Sequence, residues 1–379
     1  MPESCLIIAG EKSGEEHALS FLPTLMRISP ETQFWGVGGD DMKDIGFESL
    51  YHLNDFSTWG FSEVLTKIPF YLNALNVIEK EALRRGTRTA VLIDYQDFNM
   101  KLGKRLSRHG IRVLHYVAPQ AWAWKSWRAK VLAKTVHTLF AIIPFEKDWF
   151  MSRGVKRVVN IPHPILNYHG EKAFDLPERS FSDLKNEIRI LLLPGSRISE
   201  VSFLLPEFIE TIKILKKSYP IKVGIVRSAS VRPELYEPYQ NFWQEEWNHK
   251  ELSSALHWAH VSLAASGTVT LSCALFEVPT IVAYKGSLFN EFIYHTFVTY
   301  CGAISLANII HQKMLFPEFI QDRVNAYELA KQLEKWLVSE KDYQEIKREL
   351  RQTRILLKGE EVNVAEYIAK VIQSGHDEL

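Results

Sequence analysis

Two stretches of strand–helix alternation, separated by one polar segment, limit what this chain can fold into. In the first half, short apolar runs at Cys5–Ala9, Gln33–Val37, Ala90–Ile93, Val113–Val117, Thr138–Ile142 and Val158–Ile161 read as strands. Between them lie helix-like segments at Glu15–Ile28, Phe70–Arg85, Met100–His109, Trp127–Ala133 and Phe145–Arg153. A run that is apolar throughout suits a strand buried on both faces, and its alternation with helices predicts a parallel sheet with crossover connections. Around residues 165–187 the pattern lapses into HGEKAFDLPERSFSDLKNE, which reads as a linker. The alternation then restarts, with strands at Ile188–Leu193, Lys222–Val226, Val261–Ala264 and Thr280–Ala283. Helices are expected at Glu200–Lys217, Glu251–Trp258 and Thr268–Phe276, and over most of the remainder.

The fold class is therefore α/β, with two Rossmann-like parallel-sheet domains facing a central cleft, and such clefts favour ligands. Residues 1–165 form the first domain, 166–187 the linker and 188–354 the second. Segment 355–379 is expected to return toward the first domain. A chain of 379 residues exceeds one ordinary core, which agrees with this division. Lys+Arg and Asp+Glu both number 45, so the chain is neutral and wholesale nucleic-acid binding is not expected. Cys5, Cys273 and Cys301 are far apart, with no zinc-type spacing, and an odd count makes a poor disulfide framework. A reducing compartment fits them best. The opening MPESC then LIIAG has neither a basic n-region nor a long apolar h-region, so no signal peptide is expected. No apolar run reaches membrane-spanning length.

Ligands of open α/β sheets bind beyond the carboxyl ends of the strands. There the chain places Asp94-Tyr95-Gln96-Asp97-Phe98-Asn99 after one strand and HYVAPQAWAW, with Pro119 and Trp122, along and after the next. The first turn reads Gly10-Glu11-Lys12-Ser13-Gly14, which is neither a Walker loop nor a dinucleotide fingerprint. It is open to two readings, a ligand loop or a helix start capped by Ser13. In the second half Leu193-Pro194-Gly195-Ser196-Arg197, with Glu200, repeats the strand–glycine–helix layout and adds an arginine suited to phosphate. Ser266-Gly267-Thr268 precedes another helix and would present amides and hydroxyls to an anion. Each has a plain alternative, a turn arginine or a hydroxyl cap. Together they suggest a nucleoside diphosphate held opposite an acceptor site. Phe61, Val64, Leu65, Ile68, Leu72 and Leu75 recur at helical spacing, interrupted by Pro69. Such a stripe is either core or an apolar face for acyl chains or a membrane.

In these motifs the chain resembles the lipid-A-disaccharide synthase family of bacterial GT-B glycosyltransferases. The motifs are Gly10–Gly14, Trp59–Leu65, Ile93–Asn99, His115–Trp124, Pro144-Phe145-Glu146, Leu193–Arg197 and Ser266–Thr268, in the family's order over nearly the whole chain. The resemblance implies an inverting, metal-independent transfer without cofactor. UDP-2,3-diacylglucosamine would donate its sugar to 2,3-diacylglucosamine 1-phosphate (lipid X), giving the β-1,6 disaccharide 1-phosphate and UDP. It implies a peripheral protein on the cytoplasmic side of the inner membrane, and a homodimer is one assembly it allows. Asp94 matches the family's base, since an inverting transfer needs one group to take the acceptor proton. Arg197 would stabilise the leaving diphosphate. Glu11, Ser13, Gly14, Asp97, Asn99, Pro119, Trp122 and Glu200 are expected around the substrates. Gly195, Ser196, Arg197, Ser266, Gly267, Thr268 and Asn308 are expected around UDP, with Asn308 near the uracil.

The chain departs from the family at several places. Ser272 stands where a glutamate commonly meets the ribose. Pro162-His163-Pro164 replaces G-H-P, Asn167 an aspartate, Leu306-Ala307-Asn308 the family's L-P-N, and Glu15 a common aspartate. These suggest a divergent member. Two other readings are a different UDP-sugar GT-B enzyme, such as a lipid II GlcNAc transferase or a UDP-GlcNAc 2-epimerase, and a non-catalytic sugar-nucleotide-binding relative.

Overall fold

The computed structural model describes residues 3–56, 67–170, 174–175, 180–286 and 302–374. Phe61, Val64 and Leu65, with the rest of the Trp59–Leu65 motif, and Cys301 lie outside the described residues. The chain divides into two compact units, residues 1–164 with 358–379, and residues 165–357.

The first unit is built on a seven-stranded sheet. Its strands are β1 (Glu3–Ala9), β2 (Thr32–Gly38), β3 (Glu48–His52), β4 (Thr89–Ile93), β5 (Arg112–Tyr116), β6 (Thr138–Ala141) and β7 (Val158–Asn160). The order is β3-β2-β1-β4-β5-β6-β7, and every pairing is parallel. The strand period of two sends alternate side chains to opposite faces. Cys5, Ile7 and Ala9 of β1 join one buried cluster, while Leu6 and Ile8 join another. Both faces are covered, which is why these strands read as continuous apolar runs.

The final helix, Val364–Gln373, covers the first of these clusters with Ala365, Ile368, Ala369, Val371 and Ile372. Ile368, Val371 and Ile372 each contribute roughly 1.5–3 kcal/mol by this burial, and the alanines less. Two polar ties fix the return. Arg112 donates to the Ser374 carbonyl at 2.7 Å. Glu360 accepts from Lys147 at 2.6 Å and, through its amide, donates to the Asn160 carbonyl at 2.7 Å.

The second unit carries a six-stranded parallel sheet in the order β10-β9-β8-β11-β12-β13. Its strands are β8 (Ile188–Leu193), β9 (Ile221–Arg227), β10 (Glu245–Asn248), β11 (Val261–Ala265), β12 (Thr280–Tyr284) and β13 (Glu318–Ile320). In both units the chain reverses its direction of winding beside the first strand, between β1 and β4 and between β8 and β11. Such switch points open a crevice at the carboxyl ends.

Several sequence expectations change. Glu15–Ile28 is two helices, Lys12–Leu19 and Leu22–Ile28, because Pro23 starts a new helix rather than continuing the old one. Ser13 lies inside the first of them, and the N-cap is Glu11. Pro69 does not interrupt its helix but sits in the first turn of Ile68–Arg84. The linker contains two short helices, Ile165–His169 and Asp183–Asn186. Edge strands β3, β10 and β13 escaped the apolar pattern, because a strand at the sheet border need not be apolar on both faces. Among the described residues no helix is long and apolar enough to cross a membrane.

Candidate active site

At the switch point of the first unit, the chain leaves β4 through two consecutive left-handed residues, Asp94 (φ 46°) and Tyr95 (φ 42°). Neither is glycine, so each costs on the order of 1–3 kcal/mol unless the surroundings enforce it. Buried Asn99 supplies the enforcement. Its side-chain amide donates to the carbonyls of Ile93 (3.0 Å) and Asp94 (2.8 Å), while the Asp94 amide donates to Tyr116 O at 2.9 Å. Asn99 was expected to meet substrate; its amide nitrogen is instead spent on this turn.

Gln96 then ties the Asp94 carboxylate down. Its Nε2 donates to Asp94 Oδ1 at 3.1 Å and to the Val117 carbonyl at 3.2 Å. Its Oε1 lies 3.0 Å from Nε2 of His115. His115 is buried, and burial pushes its pKa down to about 4, so the ring is neutral. The amide orientation requires His115 Nε2 to carry the proton and donate it to Gln96. Glu11 stands nearby. Desolvation, then the negative charge of Asp94, raises its carboxyl above the ordinary range. Burial lowers His17, against the attraction of Asp94. Asp94 is therefore a half-buried carboxylate with fixed direction, among Glu11, His17 and Gln96. Gln96 and His115 lie in motifs the sequence singles out, but their pairing is not legible there because it joins the ends of two different strands.

Ser13 is exposed, whereas Gly14 is buried against Ala9 and the Ile93 carbonyl. Glu15 is buried and structural: it accepts from the Met42 amide at 3.1 Å and pairs with Lys12 at 2.8 Å.

Beside this turn opens a mainly apolar cavity of about 520 Å³, lined by Glu11, Ile68, Tyr71, Leu72, Leu75, Tyr95, Gln96, Asp97, Phe98, Lys101, Trp124 and Arg128. The helical stripe thus divides. Ile68 and Leu72 are exposed at the cavity, while Leu75 is 2% exposed and belongs to the core it abuts. Asp97 is exposed and ion-paired to Arg128 at 2.5 Å. Pro119 and Trp122 are buried; Trp122 donates to Glu146 at 2.9 Å, so it is scaffold rather than cavity wall. Burial raises the Glu146 pKa to about 7.

The second unit has its own cavity, about 350 Å³, at the carboxyl ends of β8 and β11. Gly195, Ser196, Arg197, Glu200, Ser266, Gly267 and Thr268 all line it, with Arg227, Ser228, His249 and Tyr168 on other walls. Glu200 closes the loop as a capping box. Its carboxylate accepts the amides of Ser196 (3.0 Å) and Arg197 (3.2 Å) and meets the Arg197 guanidinium at 3.1 Å. It holds the loop in place while lining the cavity itself. Arg197, paired with Glu200, is otherwise 78% exposed. The Ser266 amide bonds Ala283 O, leaving the amides of Gly267 and Thr268 without acceptors among the described residues.

Two further expectations change here. Asn308 is 1% exposed and fully engaged, donating to Phe316 O and Glu318 (both 2.7 Å) and accepting the Leu315 and Phe316 amides. It braces a turn and is not among the cavity walls. Ser272 is buried and bonded to His169 at 2.9 Å, so it faces packing rather than a ribose. Among the described residues no group of three or more His, Cys, Asp or Glu side chains gathers as for a metal ion.

Comparison with known proteins fits this layout. The sequence profile of the family described as "Lipid-A-disaccharide synthetase" matches residues 5–372. The lipid-A-disaccharide synthase of Anaeromyxobacter dehalogenans is 30% identical over 89% of this chain and 88% of its own. That of Francisella philomiragia is 31% identical over 83% and 85%. Among solved structures, MurG of Acinetobacter baumannii superposes with TM-score 0.54 at 13% identity, over 98% of this chain and 99% of that one. A putative UDP-N-acetylglucosamine 2-epimerase of Listeria monocytogenes gives 0.57 at 11%, over 98% and 96%. These likenesses place the fold in the GT-B class. The chain belongs to the lipid-A-disaccharide synthase family, a family of glycosyltransferases of lipid A synthesis.

Proposed function

We propose that this family member transfers 2,3-diacylglucosamine from UDP-2,3-diacylglucosamine to the 6-hydroxyl of 2,3-diacylglucosamine 1-phosphate. The observation that carries this reading is the pairing of a fixed carboxylate, Asp94, with an apolar cavity at its side. An acylated acceptor needs both. Its chains leave water against Ile68, Leu72 and Tyr71, and its hydroxyl meets a base.

Asp94 takes the hydroxyl proton as the oxygen bonds to the anomeric carbon of the donor. The bond from that carbon to the β-phosphate oxygen breaks on the opposite face, and UDP departs with the electron pair. The configuration inverts and the proton stays on Asp94 until solvent removes it. Charge developing on the diphosphate is met by Arg197 and the amides of Gly267 and Thr268, all on the second cavity. With Asn308 committed elsewhere, Ser228 and His249, with Arg227 held by Glu246 beside them, are groups that line the same cavity and would meet the nucleoside. No step is assigned to a metal or cofactor. Exposed Trp127, Trp124, Ile68 and Leu72 suit contact with the inner-membrane surface that supplies both lipids.

The test is product analysis. Purified protein given both lipids should yield UDP and an acylated disaccharide 1-phosphate in equal amounts by mass spectrometry. UDP release without disaccharide, or transfer from non-acylated UDP-N-acetylglucosamine at equal rate, contradicts the reading.

A further inference from the structure

The acceptor cavity has one polar end that the transfer chemistry leaves unused. Three cations gather there. Lys101 and Arg128 line the cavity, and Lys125 stands 3.8 Å from Asp97. Asp97 is the carboxylate that Lys125 and Arg128 share, and Glu11, the other acid on the cavity wall, feels the charge of Asp94, so the group of Lys101, Lys125, Arg128 and Asp97 carries two positive charges in excess. The cluster is built rather than incidental. The Arg128 side chain is only 4% exposed, and its Nε has no partner among the described residues although its guanidinium holds Asp97. Lys125 adopts a left-handed backbone (φ 55°) and lays its ammonium 4.3 Å above the Trp124 ring. A bulky residue is seldom held in that conformation without a local reason. Lys101 lies one turn beyond Asp97 on the helix Gln96–Arg108, hence on the same face, and pairs with no acid among the described residues.

An apolar chamber with an over-compensated cationic mouth fits an anionic amphiphile. We infer that Lys101, Lys125 and Arg128 form a subsite for a phosphomonoester on the acceptor, with Asp97 as the internal anion that holds the cluster open until the phosphate arrives. This deepens the proposed function and rests on it. The dianion of a phosphomonoester matches the two excess charges, whereas a carboxylate or a phosphodiester would leave one over. The subsite would pin the phosphate end of the sugar, so that the hydroxyl at the other end is directed to Asp94.

The test compares lipid X with its dephosphorylated counterpart, 2,3-diacylglucosamine, in the full-length protein. Lys101→Ala and Lys125→Ala should each lower the preference for the phosphorylated lipid, as the ratio of kcat/KM values, by about tenfold, mainly through KM for acceptor. Arg128→Lys, which keeps the charge under Asp97, should lower it less. Binding of each lipid in detergent micelles to the Lys101→Ala/Lys125→Ala double variant, read by calorimetry, needs no turnover. Loss of affinity confined to the phosphorylated lipid supports the subsite even if transfer itself fails, in which case the proposed function falls alone. An equal loss for both lipids overturns it. So does unchanged lipid X affinity with lost binding to phosphatidylglycerol vesicles, which would make the cluster a bilayer contact.

Discussion

The side chain of Gln96 holds the carboxylate of Asp94, donating to Oδ1 at 3.1 Å while its own carbonyl is fixed by buried, neutral His115. A carboxylate so held has a fixed direction and, as the proposed base, keeps its other oxygen for the acceptor proton. Gln96→Ala should therefore lower kcat on the order of tenfold with little change in UDP affinity. Gln96→Glu should instead set a carboxylate against Asp94 and shift the acidic limb of the kcat/KM profile to higher pH, because like charges disfavour ionisation. A pH–rate series on both variants checks this; unaltered profiles and rates would show that Gln96 only fills space.

Asn99 is the second support of the same turn. Asn99→Asp replaces the donor that bonds Ile93 and Asp94 carbonyls with an acceptor, leaving two left-handed residues unsupported. The expected cost is about 2–4 kcal/mol in chemical denaturation, with activity falling further than stability accounts for. Asn99→Ala should cost less, since it removes the bond without adding repulsion.

Gly195 has φ of 108°, and a side chain there would run into Glu200. Gly195→Ala should displace the capping carboxylate that holds the Ser196 and Arg197 amides, weakening UDP binding by about tenfold or more in calorimetry while leaving acceptor-lipid binding intact. Loss of both affinities together would mean that the variant unfolds the unit.

Glu146 and the buried histidines give the first unit a pH signature with two opposed parts. Burial raises Glu146 from 4.5 to about 7, so its neutral form belongs to the folded state. Its stabilising contribution is complete below pH 4.5 and is lost as pH climbs through about 7, amounting to at most about 3 kcal/mol. His115, His137 and His163 are lowered to about 4 by burial, and they act with the opposite sign. Their contribution is complete above 6.5 and is lost as pH falls toward about 4. Glu146→Gln should remove the first part only, so that its urea midpoint falls more steeply than wild type on acidification. Parallel pH profiles would contradict the assignment.

Much of the scaffold was legible because doubly covered strands such as Ala90–Ile93 and Ile188–Leu193 must be apolar throughout. The polar edge strand Glu245–Asn248 was not, since its partners lie on one side only. Candidate ligand residues were legible as positions, the ends of β1, β4, β8 and β11, but not as directions. Asn99, Trp122 and Asn308 sit in the expected motifs, yet their polar groups point back into the fold. Gln96, His115 and the Asp97–Arg128 pair meet only in three dimensions. Sequence distance hides them.

In the proposed reaction Asp94 is the base of a two-lipid transfer. UDP release from UDP-2,3-diacylglucosamine, with and without lipid X, measured for wild type and Asp94→Asn, tests it most directly. Release is expected only with both lipids present, with a loss on the order of a thousandfold in the variant and unchanged UDP binding. Release that ignores lipid X, or an Asp94→Asn variant as fast as wild type, would contradict it.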